Sequence, residues 1–184
     1  TPRANRQKIR YRILMSNIYP NQRVGVFIDV QNIYHSAKNL YRARVNFKEL
    51  MKAIVGRRQL IRSVAYVIKT ENTQGEDSFF EALRQTGLDL RVKDLQVYPD
   101  GTKKGDWDVG MAVDAMRMAS SLDVIVLVTG DGDFVPLVEH LKLGMGKEVE
   151  VVAFSRTASA RLKEVTDNFV EIENIPRALL RIRK

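Results

Sequence analysis

Short apolar runs alternate along this chain with longer stretches of helical periodicity. Val24–Asp29 reads VGVFID, and the stretch from Val124 reads VIVLVT before it stops at Thr129-Gly130. Continuous apolar runs rich in valine mark strands buried on both faces. Leu60–Lys69 and Glu148–Phe154 predict two more strands, and Asn168–Ile172 a last short one. Leu88–Tyr98 alternates imperfectly between apolar and charged residues and predicts an edge strand, ended by the turn Pro99-Asp100-Gly101. Between these lie six helical patterns. One opens at Val30–Asn32 and runs to Tyr41; a second starts at Asn46-Phe47, keeps Leu50, Met51, Ile54 and Val55 on one face, and ends at Gly56. The others cover 77–86, 106–121, 134–143 and 158–165. The 106–121 pattern is apolar almost all round, which predicts deep burial. Asp106 is its expected N-cap, and Asp133 that of the 134–143 helix. Strands alternating with helices predict an α/β fold, a mainly parallel sheet with helices on both faces.

The two ends stand outside this alternation. Residues 1–23 carry six basic residues and no acid, and residues 177–184 four more, again with no acid. The net charge of +8 therefore resides in the ends, since the body between them holds 20 basic against 22 acidic residues. We read 1–23 as a basic arm, 24–173 as the folded domain and 174–184 as a basic tail. Basic ends on a near-neutral body suit a polyanion such as nucleic acid; a solubilising or oligomerising role is the alternative. Ile9, Ile13, Leu14 and Ile18 give the arm a weak helical pattern, which would suit packing on a second copy in a homodimer. No run approaches the roughly 20 apolar residues of a membrane helix, and the charged start has no apolar core after it, unlike a secretory signal. The chain has no cysteine and two histidines. Thiolate metal sites and cysteine nucleophiles are thereby excluded, any metal must be held by oxygen, and a cytoplasmic home is expected.

Candidate chemistry gathers where the buried strands end. Asp29 closes the first, with Asn32 three residues on; Asp131 and Asp133 follow the 124–129 strand, separated by a glycine. Each aspartate could cap or turn the chain, or serve a site. If the two strands are neighbours at the switch point of an open α/β sheet, Asp29, Asp131 and Asp133 converge at one rim, and the helix start at 106–108 adds Asp108. Clustered carboxylates repel unless a cation neutralises them, and an all-oxygen donor set implies a hard ion, Mg²⁺ or Mn²⁺. Such an ion activates water and steadies an in-line phosphoryl displacement. Asp114 lies mid-helix among apolar residues and needs a partner if buried, Lys104 or an arginine.

FIDVQN (27–32), KGDWDVGMAVDAM (104–116) and TGDGDF (129–134) together resemble the NYN domain, the LabA-like branch of the PIN-like nucleases, in order from about Val24 to Ile172. The resemblance implies a Rossmann-like PIN-type fold with a central sheet of five to six strands, and a ribonuclease dependent on Mg²⁺ or Mn²⁺. Asp29, Asp108, Asp131 and Asp133 match its catalytic and metal-binding acids. Asn32, Asp114 and Lys104 match supporting positions, and Ser155 does so more loosely. Asp106 is an acid where the pattern expects a neutral residue. RNA, single-stranded or structured, would be the partner, met by Lys103, Lys104 and Arg156, with Tyr34 and Trp107 as aromatics placed either for stacking on bases or in the core. The alternative is a non-catalytic nucleic-acid-binding or regulatory module on the same fold. A phosphotransferase with an aspartyl nucleophile would want a second acid two residues after Asp29, where Gln31 stands, and no glycine-rich dinucleotide loop follows the first strand.

Overall fold

Every buried strand expected from the apolar runs is present in the computed structural model, which describes residues 19–70 and 75–182. Expectations for the arm before residue 19 lie outside the described residues. The elements are β1 (Arg23–Asp29), α1 (Val30–Tyr41), β2 (Ala43–Val45), α2 (Phe47–Val55), β3 (Gln59–Lys69), α3 (Glu76–Gln85), β4 (Asp89–Asp94), β5 (Gln96–Val97) and β6 (Lys103–Lys104). They continue as α4 (Asp108–Met118), β7 (Val124–Val128), α5 (Val135–Glu139), β8 (Glu148–Ala153), α6 (Ala160–Val165), β9 (Asn168–Glu171) and β10 (Leu179–Arg181). Six strands form one sheet in the order β4-β3-β1-β7-β8-β9, parallel throughout. The chain winds outward from β1 to β4, returns to lay β7 against the other side of β1, and winds outward again. The β1–β7 boundary is thus the switch point of the sheet.

Alternation of side chains along each strand feeds two cores. Val24, Val26 and Ile28 of β1 pack with α1, α2 and α3 through Ile33, Leu50 and Leu83. Phe27 of the same strand joins Tyr66 and Leu127 on the other face, under Met111 and Ala115 of α4, Leu137 of α5 and Leu162 of α6. At the lower edge of the sheet Arg58 and Glu150 form a buried ion pair. The guanidinium meets the carboxylate with two nitrogens, each 3.0 Å from an oxygen, and also donates to the carbonyls of Ile54 and Val55. The pair joins the approach to β3 with β8.

Four local expectations are corrected. The helix expected at 106–121 starts at Asp108, with Trp107 rather than Asp106 at the cap position and no side-chain cap; Asp106 is exposed. Nor is it buried all round, because it covers the sheet with one face only and leaves Val109 74% exposed. Asp131, not Asp133, caps the turn after β7, accepting from the Asp133 N–H. TKKG (102–105) supplies β6, which pairs antiparallel with β5. The last segment, expected as a tail, folds back: Ile175 and Ala178 are buried, and β10 pairs antiparallel with β2, itself unforeseen.

Candidate metal centre

Asp29 is the last residue of β1 and the N-cap of α1. Its Oδ1 accepts the Asn32 N–H at 3.1 Å, and its Oδ2 accepts the hydroxyl of Thr129 at 3.3 Å. One carboxylate thus caps α1 and reaches across to the end of β7. Asn32 in turn accepts the Gly130 N–H on its Oδ1 at 3.0 Å, clamping the start of α1 to the end of β7. Thr129 is fully buried. Its hydroxyl accepts the Asp131 N–H at 3.2 Å while donating to Asp29, so one side chain links the acids of two strands. Sequence reasoning passed over Thr129; the available signal was a polar residue closing a run of five valines, isoleucine and leucine.

Asp108, at the first position of α4, completes the arrangement. Carboxylate oxygens of Asp108, Asp131 and Asp133 lie within 4.8 Å of one another. Asp29 falls outside that set but stands next to it, and its charge acts on Asp108. Burial first, then the carboxylates of Asp131, Asp29, Asp106 and Asp133, push the Asp108 carboxyl up to about 6. Burial also raises Asp29, against the lowering effect of the Asn32 amide and the Thr129 hydroxyl. Among the described residues no lysine or arginine forms an ion pair with Asp108, Asp131 or Asp133. An all-oxygen, closely spaced, unneutralised set fits a hard divalent cation.

The glycines between the acids serve packing. A Cβ on Gly130 would come within 3.0 Å of the Ala158 backbone, and one on Gly132 within 2.9 Å of Ser159 Oγ. The loop after β8 is thereby seated against the acidic turn, and Ser159 N–H donates to the Gly130 carbonyl at 2.9 Å.

The remaining expected residues are distributed around this centre. Asp114 lies on α4 away from the acidic set, its Oδ2 accepting the Tyr66 hydroxyl at 3.0 Å, with Arg91 and Arg117 at 3.7 and 3.5 Å. An arginine pairing was one of the two partners the sequence allowed. Ser155 sits past the end of β8, its N–H donating to Glu173 and its carbonyl accepting from Lys163. Arg156 is exposed beside it. Lys103 and Lys104 lie in the β5–β6 hairpin that precedes α4. Trp107 is half-buried, its Nε1–H donating to the Val67 carbonyl at 2.9 Å and its ring against Tyr66, centroids 5.4 Å apart. Tyr34 stays partly exposed beside Phe79 and His35.

A parallel α/β sheet that gathers carboxylates at its switch point defines a Rossmann-like protein with an acidic rim. The chain belongs to the NYN domain family, whose model matches residues 23–173, within the PIN-like nuclease superfamily. It is 24% identical over 164 residues to the Low amplitude and bright protein LabA of Synechococcus elongatus, an alignment covering 83% of this chain and 85% of LabA. It is 27% identical over 154 residues to the uncharacterized protein MJ0482 of Methanocaldococcus jannaschii, covering 82% of this chain and 55% of that one. Among solved structures it resembles VPA0982, a protein of unknown function from Vibrio parahaemolyticus. The TM-score is 0.80 at 32% identity, over 89% of this chain and 99% of that one. Among the described residues no helix is long and apolar enough to cross a membrane.

Proposed function

We propose that this protein is a ribonuclease that hydrolyses RNA phosphodiester bonds with the help of Mg²⁺ or Mn²⁺. The observation that carries the reading is the set of three carboxylates within 4.8 Å, with no ion-pair partner among the described residues. Binding RNA alone has no use for such a set, because clustered negative charge repels phosphates. Asp108, Asp131 and Asp133 would hold the ion, with Asp29 as the fourth acid behind them. Bound there, the ion would neutralise the carboxylates and supply Lewis-acid stabilisation of the charge that develops on phosphate oxygens. The chain's own contribution is placement. Asp29, fixed by the Asn32 amide, fixes Thr129, and Thr129 fixes the Asp131 backbone. Asp108, whose carboxyl is raised by burial and by the neighbouring acids, would be returned to its charged form by a cation held there. Lys103, Lys104 and Arg156 supply positive charge for the RNA backbone.

The test is cleavage of labelled single-stranded and hairpin RNA, and of DNA of the same sequence, with Mg²⁺, Mn²⁺ or EDTA. Wild type is compared with Asp131→Asn, which keeps the size and removes the charge. Metal-dependent cutting is expected to fall by more than about 100-fold in the variant, beyond the 10–100-fold typical of residues one step removed from a metal. RNA binding without cutting under every metal would overturn the nuclease reading in favour of a binding module.

A further inference from the structure

The acidic set lies between two flanks of the sheet. Asp29 pairs with Tyr66 on β3, and Tyr66 with Arg91 on β4. β3 continues to Lys69, three residues past that level and thus about 10 Å higher at the rise of a strand; Lys93 on β4 is two residues past it. On the other flank Ile28 pairs with Val128 and Leu127 with Val151, so the Asp29 level passes through Thr129 and Ala153, and the 154–159 loop rises beyond. The acids gather beyond the ends of β1 and β7, between two walls: the ends of β3 and β4 on one side and this loop on the other.

Each wall presents a cation with no carboxylate partner among the described residues. Lys93 Nζ rests 3.2 Å from the Asp106 carbonyl and 5.5 Å from the centre of the Trp107 ring, immediately before Asp108. Arg156 is exposed on the opposite wall, in a loop held from both sides: Ala158 lies against Gly130, and the Thr157 hydroxyl meets that of Ser36 on α1 at 3.1 Å. β4 and β8 are four strand intervals apart, about 19 Å, with the acids between them. Cations on either side of an acidic set suit a chain of phosphates, of which one meets the acids and its neighbours meet the cations.

We propose that a single strand of nucleic acid crosses this rim obliquely from β4 to β8, with phosphates on either side of the reacting one held by Lys93 and Arg156. The proposal rests on the nuclease reading and adds the strand's path. A single strand is the simpler fit, since its one backbone can reach both cations while passing the acids between them. Lys93 then leaves the Asp106 carbonyl for a phosphate oxygen, and Trp107 remains held by β3.

The test is fluorescence anisotropy of a labelled uridine oligomer bound to the full chain in EDTA, followed through a salt titration. Lys93→Met, which keeps the stem over Trp107, Arg156→Gln and the double variant are compared with wild type. Arg57→Ala, an exposed arginine before β3 at the opposite edge of the sheet, is the control. Each single variant is expected to weaken binding and lower the slope of log affinity against log salt by about 0.7, the double by about 1.4, with unchanged melting temperatures and an unaffected control. Wild-type binding with slopes unchanged in both variants would overturn the path and leave the nuclease reading standing. Tighter binding of the corresponding duplex would overturn the single-strand assignment, and failure of wild type to bind RNA or DNA in EDTA would overturn the path, while the cleavage assay decides the nuclease reading.

Discussion

In the folded chain Asp108 holds its proton more tightly than an exposed aspartate, because it is partly buried and faces four other acids. The folded value is about 6 and the unfolded one about 3.9, so between them the folded state binds more protons than the unfolded. Stability therefore falls as the pH rises through that window, and the penalty is complete above it. Asp108→Asn is expected to stabilise the metal-free protein at pH 7.5 by on the order of 1 kcal/mol after allowing for solvent screening, which raises the melting temperature by about 2–4 °C. The gain should vanish near pH 4, and Mg²⁺ should narrow it by stabilising wild type alone. Thermal melts at the two pH values decide the matter, and equal gains at both would refute the electrostatic account. The residues of this set were legible as carboxylates following apolar runs. Which of them caps was not: Asp131 and Asp133 are both good caps, and it is Asp131 that accepts the Asp133 N–H.

Among elements, the sheet is coupled at its lower edge by the Arg58–Glu150 pair. Its two parallel nitrogen–oxygen contacts hold a fully desolvated charge on each side, so removing one partner strands the other. Glu150→Ala is expected to cost about 3–5 kcal/mol, whereas the double change Arg58→Met with Glu150→Leu should cost much less. Urea unfolding of the two variants measures this; an equal loss in both would show that packing, not the unpaired charge, sets the cost. Neither member was apparent beforehand. Glu150 lies in a strand that already carries Glu148, and Arg58 follows a helix stop among other basic residues. The long strands were legible because burial on both faces demands unbroken apolar runs. β2 and β10 were not, since three residues show no period and their pairing is decided by where Ile175 and Ala178 are buried.

At the scale of the whole molecule, the decisive feature is the order of the strands. Alternation of strand and helix disclosed the parallel sheet, but adjacency of β1 and β7 had to be assumed before the acids could be brought together, and periodicity carries no information on it. The resemblance of three separated motifs to the NYN domain supplied that adjacency, and the sheet order bears it out. The switch point also explains why clustered charge is tolerated. The carboxylates gather beyond the strand ends, where water reaches them, while the apolar interior of β1 and β7 stays closed beneath.

That strand order has a consequence for the protein while it is being made. β1 leaves the ribosome with Asp29 at its tip, but the three acids that lie closest together come from α4 and the turn after β7, in the second half of the chain. A polypeptide released only as far as the exposed Asp100-Gly101 turn has a partial sheet and none of those three, and the remainder alone lacks the β1 edge on which β7 is laid. On the ribonuclease reading proposed above, half-made chains carry no acidic set with which to cut RNA. The same logic makes the turn a natural place to divide the protein: pieces 1–100 and 101–184, each silent alone, should recover metal-dependent activity when mixed, because the cut falls between the two windings of the sheet.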